Sequence, residues 1–199
     1  MLVTDHRLLG ARALTQVVAE AIAGGVNVVQ LRAREIPAGQ LLTLARELRA
    51  IVQPPNMLLV NDRLDVALAA GADGVELGTG ALPVADARRI APGLMIGRSI
   101  HSVSEAVEAA NAGADFCIAG TMFATQSHPG KSPEGPALMG TITSTVGLPI
   151  IAIGGITPTK VPVVLEAGAV GVAVISDIMA AADPRAAAAA LWRALNHRL

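Results

Sequence analysis

The polar residues of this chain gather at the ends of short apolar runs. VVQLRAR carries Gln30, Arg32 and Arg34; MLLVND ends in Asn61 and Asp62; GVEL holds Glu76; MIGRSIH holds Ser99 and His101. An arginine in such a place can clamp an anion through two parallel hydrogen bonds. Gln30 and Arg32 are two residues apart, so they share one side of an extended segment. Asn61 offers an amide to a heterocycle, and Asp62 offers either a carboxylate to Mg²⁺ or a cap to the next helix. Glu76 interrupts an apolar run, which places it in a pocket or in an ion pair with Arg32 or Arg98. Ser99 joins the pocket side if Gly97 faces inward, whereas His101 reads as structural. Further on, AIGGIT brings Gly154 and Gly155, and AVIS brings Ile175 and Ser176. Adjacent glycines let backbone approach a ligand, and N–H groups at such turns hold phosphate without a lysine.

The elements that must position these groups announce themselves by repetition. Four copies of one phrase occur: Ala23-Gly24-Gly25-Val26, Ala70-Gly71-Ala72-Asp73, Ala112-Gly113-Ala114-Asp115 and Ala167-Gly168-Ala169-Val170. Each is a helix end with a glycine suited to the left-handed position, followed by a continuous apolar run typical of a strand buried on both faces. Eight strands follow: Leu2–Thr4, Asn27–Leu31, Met57–Asn61, Gly74–Leu77, Met95–Ser99, Phe116–Gly120, Pro149–Ile153 and Gly171–Ile175. Helical patterns lie between them, including Ala38–Ile51, Ser104–Ala112 and Pro158–Ala167. Thr157-Pro158 and Asp183-Pro184 are helix starts, and the last opens a closing helix to Asn196 with Trp192 packed on the rest. Eight βα units predict an α/β fold of the TIM (β/α)₈ barrel type, one domain over 1–199. A doubly wound sheet is the alternative, with a strand left over. The stretch from Thr121 to Pro136 has no strong helical pattern and, with its prolines and glycines, reads as a loop closing over ligand.

Composition narrows the functions. Net charge is −1, with no basic block, and aromatics are two Phe and one Trp, so nucleic acid is not expected as a partner. No apolar stretch reaches the roughly 20 residues of a membrane helix, and the start lacks the pattern of a signal peptide; the expected place is the cytoplasm. Cys117, the single cysteine, lies in an apolar run and reads as core filler. The two lysines, Lys131 and Lys160, lie in the long loop and at a helix start, so neither suits a Schiff base at mid-strand.

The ordered set QLRAR, ND, IGRSIHS, AIGGIT and AVIS resembles the thiamine phosphate synthase / TenI superfamily along essentially the whole chain. The resemblance implies that Gln30, Arg32, Arg34, Asn61 and Ser99 line the side for hydroxymethylpyrimidine pyrophosphate. Thr125, Gln126 and Ser127 would meet thiazole phosphate, with Thr121 and Lys131 beside them. Gly154, Gly155, Ile175 and Ser176 would hold its phosphate group. Mg²⁺ is implied if synthase chemistry is retained, with Asp62 as ligand, but the family's second carboxylate falls at Ala81 and its loop lysine at His128. The general acid/base histidine of TenI-type tautomerases falls at Thr121, which cannot exchange protons near neutral pH.

The loop TQSHPGKSPEGP and the stretch LGTGALPVADARR are more similar to TenI-type proteins. The sequence-based expectation is therefore a TenI-like thiazole phosphate tautomerase, with His128 or Glu76 as the replacement acid/base. A thiamine phosphate synthase comes second, and a binding protein without catalysis third. A small phosphorylated substrate is common to all three, and a homo-oligomer is compatible with each.

Overall fold

The computed structural model describes residues 1–125 and 133–196. Its strands are β1 (Leu2–Val3), β2 (Val28–Leu31), β3 (Met57–Asn61), β4 (Gly74–Leu77), β5 (Met95–Ile100), β6 (Phe116–Ala119), β7 (Ile150–Ile153) and β8 (Gly171–Ala173). All pair in parallel and in chain order. The sheet then closes: Val3 N–H donates to Val174 O at 2.9 Å, Val174 N–H to Met1 O at 3.1 Å, and the Met1 amino group to Val172 O at 2.8 Å. Closure is what an open doubly wound sheet lacks, so the barrel expectation holds.

The helices are α1 (Leu14–Ala23), α2 (Ala38–Ile51), α3 (Leu64–Ala70), α4 (Val84–Ile90), α5 (Val103–Asn111), α6 (Gly135–Thr145), α7 (Val161–Glu166), a short α8 (Ser176–Met179) and α9 (Pro184–Asn196). The helix expected over Pro158–Ala167 divides into a 3₁₀ turn, Pro158–Lys160, and α7. Pro162 lacks an N–H, so it suits the first turn of a new helix and not the middle of a longer one. Thr157 makes no cap, its hydroxyl meeting Thr159 instead. Asp183 does cap, accepting from Ala186 N–H at 2.8 Å.

The repeated phrase has a mechanical use. Gly71 ends α3 at φ 62°, as the left-handed position requires. The aspartate two residues later then pins the neighbouring strand: Asp73 accepts from Leu58 N–H, and Asp115 from Ile96 N–H, both at 2.7 Å. Arg49 and Arg88 pair with those aspartates from the helix layer.

Strand alternation divides the apolar residues into two layers. Outward-facing residues such as Val29, Leu58, Val75, Ile96 and Cys117 pack under the helices. Burial pushes the Cys117 thiol up to about 11, consistent with an inert filler. Inward-facing Val28, Leu59, Phe116 and Ile118 fill the barrel. Phe116 fits because Gly97 stands opposite, where a Cβ would come within 2.2 Å of its ring. Trp192 lies over Gly25 at the amino end of the barrel, 46% exposed.

Candidate active site

A cavity of about 510 Å³ opens at the carboxyl ends of the strands. Each of β2 to β5 places one residue above its inward-facing apolar or glycine position: Gln30 above Val28, Asn61 above Leu59, Glu76 above Gly74, and Ser99 above Gly97. Gln30, Asn61 and Glu76 are all buried. Gln30 Nε2 donates to Asn61 Oδ1 at 3.1 Å and to Glu76 Oε2 at 2.8 Å, and Ser99 Oγ donates to Glu76 Oε1 at 2.6 Å. Burial pushes the Glu76 carboxyl above its usual range; the Ser99 hydrogen bond opposes this, the charge of Asp62 adds to it, and Gln30 opposes it again. Neither expected arginine pairs with Glu76. Arg98 instead donates to Gly78 O at 2.7 Å, and Arg32 lies 3.9 Å from Asp5. The ion-pair alternative for Glu76 is thereby corrected: Arg98 lies on the helix-facing side of β5, out of its reach.

The rim above this floor is cationic. Arg32 lines the cavity with its side chain 19% exposed, steered by Asp5, whose carboxyl Arg7 holds below the ordinary range. Burial lowers the Arg32 pKa from its usual value, a state that a bound anion relieves. Arg34 is more open at 57% and lies 3.6 Å from Asp62. The Asp62 backbone is left-handed at φ 59°, and its Oδ1 accepts from Gly78 N–H at 2.7 Å. Its side chain therefore reaches back to the turn after β4, and the helix-capping alternative is corrected. Mg²⁺ commonly takes one or two protein carboxylates and fills its shell with phosphate oxygens and water. Asp62 supplies one such carboxylate, with Oδ1 taken by Gly78 N–H and Oδ2 3.6 Å from Arg34 Nε. Ala81 adds no side-chain ligand, its N–H being used on Gly78 O, and no cluster of three or more His, Cys, Asp or Glu side chains for a metal occurs among the described residues.

Across the cavity, β6 to β8 present backbone. Gly154 and Gly155 have φ of 103° and 62°, and a Cβ on Gly155 would stand 2.5 Å from Ala124 O. Among the described residues, no acceptor takes the N–H groups of Gly155, Ile175, Ser176 or Asp177. Ser176 opens α8, and these two turns follow neighbouring strands and line the cavity side by side. Lys160 Nζ donates to Gly155 O at 2.8 Å and stands 4.8 Å over the Phe123 ring, bracing the glycine turn. Thr121 is buried and lines the cavity with Thr125. Gln126, Ser127, His128 and Lys131 lie outside the described residues.

Two residues were under-read in the sequence. His101, taken as structural, lines the cavity and holds Glu134 Oε1 at 3.0 Å through Nδ1; Ser102 is the cap of α5. Its two-residue spacing from Ser99 was the available signal. Lys160 follows Gly155 by five residues, and only the 3₁₀ turn folds it back to that carbonyl.

A model of the thiamine monophosphate synthase family, TMP-TENI, matches residues 1–178. A thiamine-phosphate synthase of Methanoculleus marisnigri is 47% identical over 192 residues, covering 95% of this chain and 91% of that protein. One from a Roseiflexus species is 43% identical over 192 residues, covering 95% and 81%. Among solved structures, a thiamine phosphate pyrophosphorylase from Pyrococcus furiosus superposes with a TM-score of 0.91 at 36% identity, covering 98% of this chain and 94% of that one. These names favour the reaction that the sequence analysis placed second, and the nearer likeness to TenI-type proteins finds no support in them. That likeness rested on loop and turn wording, which varies faster than a barrel frame.

Proposed function

Because the chain belongs to the thiamine monophosphate synthase family, we propose that it joins hydroxymethylpyrimidine pyrophosphate to thiazole phosphate, releasing pyrophosphate. The observation that carries this reading is the division of one cavity into a side-chain floor under arginines and a backbone cradle opposite. Two phosphorylated heterocycles need two such anion sites facing each other, whereas a tautomerase needs one.

In this reading, Gln30, Asn61 and Ser99 hold the pyrimidine ring, and Arg32 and Arg34 clamp its pyrophosphate. The N–H groups of Gly155, Ile175 and Ser176 hold the thiazole phosphate. The two rings then meet over the floor with their reacting atoms already oriented, which supplies much of the rate. The carbon–oxygen bond to pyrophosphate breaks, its electron pair leaving with pyrophosphate, and the thiazole nitrogen forms the new carbon–nitrogen bond. Asp62 and the pyrophosphate oxygens would hold Mg²⁺, which when bound neutralises charge on the leaving group. Arg32 and Arg34 add fixed positive charge at the same place. A neutral or basic acid/base is not needed, so Thr121 in place of histidine costs this reaction nothing.

The test is direct: incubate the pure protein with both substrates and Mg²⁺ and follow thiamine phosphate and pyrophosphate together. Equal formation of the two is expected. Absence of both, with conversion of the carboxythiazole phosphate tautomer in a parallel incubation, overturns the synthase reading in favour of the tautomerase.

A further inference from the structure

Glu76 is buried at the centre of the floor yet forms no ion pair among the described residues. Each of its two oxygens accepts from a neighbour, Oε2 from Gln30 Nε2 at 2.8 Å and Oε1 from Ser99 Oγ at 2.6 Å. The second hydrogen of Gln30 Nε2 goes to Asn61 Oδ1. Each neighbour is left with one face for a ligand. Gln30 has only Oε1 to offer, Ser99 has given its hydrogen and keeps lone pairs, and Asn61 keeps its NH₂. Without two acceptors in that place, a glutamine side chain and a hydroxyl could each turn either way.

We infer that Glu76 is a positioning residue that fixes the hydrogen-bond polarity of the pocket floor, and so selects a ring carrying an exocyclic amine over one carrying an oxo group. The inference rests on the pyrimidine side of the proposed synthase reading. Two acceptors, Gln30 Oε1 and Ser99 Oγ, call for a donor on the ligand. The Asn61 amide calls for an acceptor such as a ring nitrogen. An amine beside a ring nitrogen has that pattern; an oxo group beside a ring N–H has its inverse. A site built to pair with one leaves buried groups unpaired with the other, and that is where strong discrimination arises.

Glu76→Gln keeps the shape and removes the charge. The new amide must donate to one of its neighbours, so either Ser99 or Gln30 then turns a hydrogen toward the ligand. The experiment measures, by calorimetry, the binding of the 4-amino and 4-oxo forms of hydroxymethylpyrimidine phosphate to wild type, Glu76→Gln, Glu76→Asp and Ser99→Ala. Wild type should favour the amino ring by at least about ten-fold, as one satisfied against one opposed buried hydrogen bond requires. Glu76→Gln should bring the ratio close to one or invert it. Glu76→Asp, which keeps the charge, should bind more weakly but retain the preference. Ser99→Ala, lacking one acceptor, should lower the preference and serves as the test should Glu76→Gln fail to fold. A wild-type ratio in folded Glu76→Gln, or in Ser99→Ala if only that folds, overturns the inference while the synthase reading stands. Failure of the folded wild type to bind either ring overturns both.

Discussion

The two halves of the cavity recognise ligand by different means. From β2 to β5, the layer above the barrel interior is Gln30, Asn61, Glu76 and Ser99, side chains bonded to one another. From β6 to β8, the corresponding places hold apolar side chains or glycine, and the N–H groups of the lining turns have no acceptor among the described residues. A side-chain network carries donor and acceptor identity and can discriminate between rings. A backbone cradle offers donors only, fits any phosphate, and depends on shape alone. One half should therefore lose selectivity when altered, and the other should lose fit.

The largest effect should come from the backbone half. Gly155→Ala places a Cβ 2.5 Å from Ala124 O on a backbone with φ of 62°. The turn must shift by a good fraction of an ångström, a displacement worth about 100-fold in rate. Steady-state kinetics should show this chiefly as a raised KM for thiazole phosphate; an unchanged KM would mean that the glycine turn does not hold that phosphate.

Next comes a contact behind the side-chain half. Arg98 donates to Gly78 O at 2.7 Å, and Gly78 N–H holds Asp62 at 2.7 Å. Arg98→Ala should loosen that turn and raise the Mg²⁺ concentration for half-maximal activity by about ten-fold, in line with outer-shell partners of metal ligands. A Mg²⁺ dependence equal to wild type would separate Asp62 from the metal.

Glu76→Gln should also leave a mark on stability, with a sign opposite to its effect on binding. The native Glu76 carboxyl lies above its usual range because burial disfavours the charge. A folded-state pKa raised in this way contributes stability below the unfolded pKa and loses it as pH rises through the native one. Removing the charge should thus raise Tm most at alkaline pH, with the gain vanishing in acid. A lower Tm at every pH would show that the hydrogen bonds to the carboxylate outweigh its desolvation.

The smallest effect is expected far from the cavity. Arg63 and Asp65 pair on the surface with side chains 39% and 64% exposed. Arg63→Ala should change stability by less than about 1 kcal/mol and leave both KM values alone. A change in KM there would break the division drawn between the two halves.

Much of the barrel was legible because its signals are local. Continuous apolar runs, glycines at helix ends and Asp183 before Pro184 each act within a few residues, and the strand bounds fall within two residues of those read from the sequence. Local wording misled where a second signal competed. Pro162 divides the helix expected from Thr157-Pro158 into a 3₁₀ turn and α7. Asp62 looked like a cap because it precedes a helix, yet its carboxylate serves the turn after β4.

Hydrophobic period and glycine placement by themselves determined the βα order, and with it which residues reach the carboxyl rim, because both are properties of neighbours along the chain. Which rim residues touch was decided by tertiary structure. Gln30 meets Asn61 and Glu76 across 31 and 46 residues, and Ser99 reaches Glu76 across 23. Strand register and barrel closure bring those four side chains within hydrogen-bond reach. Burial then made Glu76 an acceptor enclosed by donors, a property no stretch of sequence contains, because the environment that creates it comes from four separate strands.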